Sequence, residues 1–142
     1  MNEMIGIVLT GHGAFPTGML ESVQLIAGEI RQIKIVPFEE DVEKLEREIE
    51  HAINSVDTGA GVVCFTDLAG GTPFNICSKL ALKNESVRVI GGTNSPMLLS
   101  GLFQREFKLD EFVAKVLQDG KENIKEFETR QKQSVVDGSA GI

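Results

Sequence analysis

Met4-Ile5-Gly6-Ile7-Val8-Leu9-Thr10-Gly11-His12-Gly13 is the stretch that decides the fold of this chain. Residues 4–9 form an apolar run of strand length, which reads as a buried β-strand. Two glycines then wall a single histidine, and a helical pattern begins by about Thr17. His12 is therefore expected on a short loop at the carboxyl end of a strand. In open α/β sheets that edge is where ligands and chemistry gather. The same punctuation returns at Thr66-Asp67-Leu68-Ala69-Gly70-Gly71-Thr72-Pro73 and at Gly91-Gly92-Thr93-Asn94-Ser95-Pro96.

Working outward, apolar runs alternate with helix-period segments, the pattern of an α/β fold with a mainly parallel sheet. A helix over residues 17–27 puts Met19, Leu20, Val23, Ile26 and Ala27 on one face, with Gly28 as its stop. Residues 33–36 give a second strand. An amphipathic helix over 41–56 aligns Val42, Leu45, Ile49, Ala52, Ile53 and Val56. Residues 61–66 are apolar on both faces, as a central strand requires. Thr72-Pro73 reads as an N-cap followed by proline in the first turn of a helix reaching about Leu82. A fourth strand follows at 87–90, then a helix from Pro96 to about Arg105. Asp110 is the expected cap of another, burying Phe112, Val113, Val116 and Leu117. Residues 123–127 alternate weakly, as a short last strand would. The division is one domain over 1–127 and a loose polar tail over 128–142.

The 142 residues suit one domain of ordinary size. A formal charge of −7 excludes the basic footprint that nucleic-acid binding needs. The acids of Glu39-Glu40-Asp41-Val42-Glu43 complement a helix start, and the overall sign mildly favours a basic protein partner. No apolar run approaches membrane-spanning length, and the N-terminus carries no secretory pattern. Cys64 and Cys77 fit reduced, buried thiols, so a cytoplasmic location is expected. Two histidines and two unpaired cysteines give no support to a zinc site. His51, among Glu48, Glu50 and Asn54 on the long helix, reads as a surface residue. Gly91-Gly92 lacks the lysine of a P-loop and the third glycine of a dinucleotide fingerprint. No nucleophile-elbow motif is present.

Right-handed crossovers place all strand-to-helix loops on one edge of a parallel sheet, which brings His12 and Asp67 to a common rim. A histidine that accepts a phosphoryl group must be neutral, with one ring nitrogen presenting its lone pair. A carboxylate on the other nitrogen fixes that tautomer and stabilises the charge that develops during attack. Asp67 is the candidate for this role. Gly13, Gly70, Gly71 and Thr72 are candidates for holding phosphoryl oxygens, through close backbone approach, a hydroxyl and a helix start. No Lys or Arg occurs in residues 1–30 or 65–78; a site of dipoles without a fixed cation would hold phosphate reversibly. Each feature alone also fits a plainer role: His12 a solvated turn residue, Asp67 a helix cap, Gly70-Gly71-Thr72-Pro73 an ordinary turn and cap.

Together, Ile7 to Gly13, Phe65-Thr66-Asp67-Leu68-Ala69-Gly70-Gly71-Thr72-Pro73-Phe74-Asn75 and Gly91 to Leu98 resemble the enzyme IIA component of the mannose-family sugar phosphotransferase system. The resemblance runs from residue 1 to about 127. It implies a three-layer α/β/α fold with four parallel strands in order 2-1-3-4. It adds a short antiparallel C-terminal edge strand at about residues 121–127, exchanged between the subunits of a homodimer. It further implies that His12 is phosphorylated on Nε2 by phospho-HPr and passes the group to a IIB component, with Asp67 on Nδ1 and Thr72 beside the phosphohistidine. No cofactor or metal is implied, and the membrane enters only through the sugar permease complex. The chain stops after a polar tail, so a stand-alone IIA with a separate IIB is expected. The phosphotransfer subunit of a dihydroxyacetone kinase and a regulatory IIA-like module controlled by His12 phosphorylation are the alternatives.

Overall fold

The computed structural model describes residues 3–129. Four strands and five helices alternate: β1 (Gly6–His12), α1 (Phe15–Ala27), β2 (Ile33–Phe38), α2 (Val42–Val56), β3 (Val62–Thr66), α3 (Thr72–Ala81), β4 (Val87–Ile90), α4 (Ser95–Leu102) and α5 (Leu109–Glu122). The sheet is wholly parallel in the order β2-β1-β3-β4, as the resemblance implies.

Strand periodicity sorts the core into two layers. Val8, Val62 and Cys64 face α2 and α3, where they pack against Leu45, Ile49, Ile76 and Cys77. Ile7, Leu9, Val63 and Phe65 face the other way, toward Val23, Leu98, Phe112 and Val116 of α1, α4 and α5. Helices thus cover both faces, which is the expected three-layer α/β/α arrangement. β1 and β3 are buried on both sides up to the rim. Phe65 and Phe112 lock sheet to helix in an edge-to-face pair, ring centres 6.4 Å apart, a geometry that contributes about 0.5–1.5 kcal/mol beyond its buried area.

Several boundaries differ from expectation for local physical reasons. β1 runs on to His12 and β2 to Phe38, with these two residues in register. Thr10 looks like loop punctuation, yet it is fully buried, and its hydroxyl donates to the Val36 carbonyl at 2.6 Å. α1 starts at Phe15 and, as expected, ends at Gly28, whose φ of 79° suits a residue without Cβ. Ile26, placed on its buried face, is 49% exposed. Asp41 caps α2 by accepting from the Lys44 amide. α4 starts one residue before Pro96, capped by Asn94, and stops at Leu102 rather than Arg105. Asp110 does not cap α5: it lies inside the first turn and pairs with Arg88 at 2.6 Å.

Among the described residues no C-terminal edge strand is formed. Lys121 and Glu122 complete α5, and residues 123–127 are exposed and pair with no strand among the described residues. The expected tail lies outside the described residues from position 130 on.

Candidate functional site

In the order β2-β1-β3-β4 the chain leaves β1 in one direction and β3 in the other, so a crevice opens between their carboxyl ends. His12 ends β1 and Asp67 follows β3. Thr10 and Thr66 are register partners, so the two functional side chains start from adjacent strands at nearly the same height. Thr66 is itself fixed by its buried hydroxyl, which donates to the Ile90 carbonyl at 2.9 Å.

Asp67 Oδ2 accepts from the backbone amide of His12 and lies 2.9 Å from both that nitrogen and ring Nδ1. Its Oδ1 accepts from the Leu68 amide at 2.9 Å. Burial acts to raise the Asp67 carboxyl, but the His12 amide, the His12 ring and the Leu68 amide outweigh it and hold the group below its ordinary value. An ionised carboxylate at Nδ1 requires that nitrogen to carry the proton, and in the neutral ring Nε2 then presents the lone pair. The His12 side chain is 45% exposed and that of Asp67 only 11%. One ring nitrogen is held by the carboxylate, on a side chain that is otherwise half-exposed.

Contacts that spacing could not reveal complete the setting. The Phe38 ring meets the imidazole edge-on, with ring centres 5.7 Å apart. A Cβ on Gly11 would fall 2.7 Å from the Phe15 ring and 2.9 Å from Asp67 Cγ, so only glycine lets β1 pass beneath the carboxylate. A Cβ on Gly91 would fall 2.6 Å from Ala69 Cα, and the Thr93 amide donates to the Thr66 carbonyl. The third loop therefore buttresses the loop after β3 from behind.

The candidate phosphoryl ligands divide. The Gly13 amide already donates to the Phe38 carbonyl at 2.8 Å, and the Gly71 amide to the Leu68 carbonyl at 3.1 Å. Neither is free for an oxyanion. Gly71 contributes space instead, because a Cβ there would lie 3.1 Å from His12 Cε1. Gly71, not Thr72, is the N-cap of α3, and Thr72 is its first helical residue. Because the N-cap Gly71 approaches the imidazole, the first turn of α3, opened by Thr72, begins beside the ring. Gly70 is exposed, and its carbonyl accepts from Asn75 Nδ2 at 3.1 Å. β2 reaches Phe38, so Glu39 and Glu40 also follow a strand at this rim. Asp67 is thus not the sole acid there, but it is the one bonded to His12. Among the described residues no cluster of three or more metal-ligating side chains occurs.

A half-exposed imidazole oriented by a carboxylate, at the switch point of a parallel sheet and beside a helix N-terminus, defines a histidine site suited to nucleophilic chemistry on an anionic group. The family model described as PTS system fructose IIA component (EIIA-man) matches residues 6–117, and the chain belongs to this mannose-type IIA family of the sugar phosphotransferase system. It is 31% identical over 105 residues to the fructose-specific EIIA component of Bacillus subtilis, covering 72% of each chain. It is 32% identical over 125 residues to the mannose-specific EIIAB component of Escherichia coli, covering 85% of this chain but 39% of that protein. The chain thus spans about two fifths of the mannose-specific relatives it matches. Among solved structures, EIIA from Streptococcus agalactiae superposes with a TM-score of 0.80 at 31% identity, covering 87% of this chain and 98% of that one.

Proposed function

We propose that the chain is a phosphoryl carrier that accepts a phosphoryl group on His12 Nε2 from phospho-HPr and delivers it to a IIB component for sugar uptake. The observation that carries this reading is the 2.9 Å approach of Asp67 Oδ2 to Nδ1, which leaves Nε2 as the nucleophile. In the first step the Nε2 lone pair attacks phosphorus, an N–P bond forms, and the bond to the donor's histidine breaks. The His12 ring gains positive charge while Nδ1 keeps its proton, and Asp67 stabilises that charge in place. The α3 N-terminus and the Thr72 hydroxyl supply dipoles for the phosphoryl oxygens. Transfer onward reverses these steps, with His12 as the leaving group.

The partners come with the role: HPr as donor, IIB as acceptor, and the membrane reached only through the permease. No described helix is long and apolar enough to cross a membrane; a cytoplasmic location is part of the proposed role. A homodimer belongs to the same reading. Among the described residues β4 pairs only with β3 and leaves one edge open, while residues 123–127 hold Ile124 and Phe127 at 75% and 70% exposure. Pairing that segment with a second copy would cover both liabilities.

Intact-protein mass spectrometry after incubation with phosphoenolpyruvate, enzyme I and HPr tests the central step. The expected result is a gain of one acid-labile phosphoryl group, absent from His12→Ala. Labelling retained in that variant overturns the assignment of His12.

A further inference from the structure

At the pole of the sheet opposite His12, the segment between α4 and α5 sends one arginine into the protein. Arg105 is 8% exposed. Its Nε donates to the Ile5 carbonyl at 2.8 Å and its Nη2 to the Gln32 carbonyl at 2.6 Å, while Nη1 donates to the Arg31 carbonyl. All three acceptors are neutral. No carboxylate among the described residues lies within ion-pairing distance of this guanidinium. Burial lowers its pKa to about 10, with Arg31 adding repulsion. A guanidinium carries five N–H donors, so these three bonds leave two. A buried cation without an anion is costly, and ion pairing is the ordinary remedy.

Arg105 also lines a cavity of about 240 Å³. Met4, Ile30, Leu102 and Phe103 form its apolar wall, and Phe103 stands 71% exposed at its edge. Glu29, Arg31 and Glu106 line it as well, all three exposed. We infer that this cavity binds a small monocarboxylate with a compact apolar body, its carboxylate on Arg105 and its apolar part against Phe103 and Leu102. The two glutamates offset Arg31 and Arg105, so the lining carries no net positive charge to balance a dianion such as a phosphate ester. They also suit an ammonium, so a free fatty acid of few carbons and an apolar α-amino acid share the recognised chemistry. The site sits where β1 begins and His12 where it ends, about 20 Å away at about 3.3 Å per strand residue. A ligand here would not touch the phosphoryl group, and the inference stands apart from the proposed function.

Amide-resolved NMR titration of the full chain with 3-methylbutanoate, leucine and the neutral 3-methylbutanamide tests it. The carboxylates should give saturable shifts at residues 29–32 and 102–106 with a Kd near or below about 1 mM, and the amide should bind roughly tenfold more weakly or less. Phe103→Ala, which removes an exposed side chain, should weaken carboxylate binding several-fold with the fold intact. Arg105→Lys should abolish it; if that variant misfolds, the Phe103 series still decides. Tighter binding of leucine, lost in Glu106→Gln, identifies an amino-acid site, and equal or tighter binding of 3-methylbutanoate identifies a simple acid site. No saturable shift up to about 10 mM, equal binding of the amide, or shifts confined to residues 12–13 and 67–72 would overturn the inference.

Discussion

His12 and Asp67, 55 residues apart in the chain, meet twice through one oxygen: Asp67 Oδ2 lies 2.9 Å from both the His12 backbone nitrogen and ring Nδ1. The first contact fixes the end of β1 against the loop after β3. The second fixes the ring on that end. Rotating the ring away breaks the Nδ1 contact, while the backbone bond still holds the end of β1 against Asp67. With Nδ1 so held, Nε2 is the ring nitrogen left for a partner.

Asp67→Asn separates geometry from charge. The amide oxygen, with two lone pairs, can still accept from the His12 amide and ring, but it no longer offsets the positive charge the ring acquires on attack. Transfer from phospho-HPr should slow by roughly 10²-fold or more, while circular dichroism remains native. Rapid-quench measurement of the phosphorylated fraction reads the rate. An unchanged rate would reduce Asp67 to a structural tie between two loops.

Two glycines should respond differently to the same added methyl group. At Gly71 the new Cβ would lie 3.1 Å from His12 Cε1, at backbone angles that any residue adopts. Gly71→Ala should therefore disturb the imidazole and lower phosphoryl acceptance while changing Tm little. At Gly11 the Cβ would collide with the Phe15 ring and with Asp67 Cγ. Gly11→Ala should cost stability of about 1–3 kcal/mol, the usual penalty of overpacking. Urea unfolding of both variants beside the phosphorylation assay checks the contrast.

The legible part of this fold was whatever depends on periodicity and punctuation. Strand and helix order, the two-sided burial of β3 and the shared rim of His12 and Asp67 follow from apolar spacing and right-handed crossovers. What escaped depends on contacts between distant segments. Thr10 and Gly11 read as a loop because their residue types suit one. They are strand because Val36 accepts the threonine hydroxyl and Asp67 fills the space above the glycine. Phe38 was invisible as a site residue, since nothing local marks an aromatic ring that will face a histidine 26 positions upstream. The amides of Gly13 and Gly71 have the right type for phosphate binding, but Gly13 extends the β1–β2 pairing to the Phe38 carbonyl and Gly71 closes a turn onto Leu68. Asp110 has the right type for a cap and found Arg88 instead.

That last pairing yields a small effect by design of its surroundings. Arg88 and Asp110 join β4 to α5 at 2.6 Å, yet the Asp110 side chain is 92% exposed. Solvent and salt screen such a pair. Asp110→Ala should change stability by less than about 1 kcal/mol, with part of that from weaker complementarity at the helix start. Thermal unfolding at low and high salt checks it, and the difference from the parent protein should shrink as salt is added.

The depressed pKa of Asp67 ties stability to pH with a definite sign. In the unfolded chain an aspartate titrates near about 3.9; in the folded chain Asp67 titrates lower, because the hydrogen bonds from His12 and Leu68 outweigh its burial. The unfolded state therefore binds the proton more readily. The contribution of Asp67 is fully present above the unfolded value and is lost as pH falls through the folded one. The stability difference between the parent protein and Asp67→Asn, measured by urea unfolding, should be level from pH 7 down to about 5 and narrow below about 4. A gap that instead widens on acidification would mean that the folded carboxyl binds its proton more tightly than the unfolded one, and that the bonds to His12 do not compensate for burial.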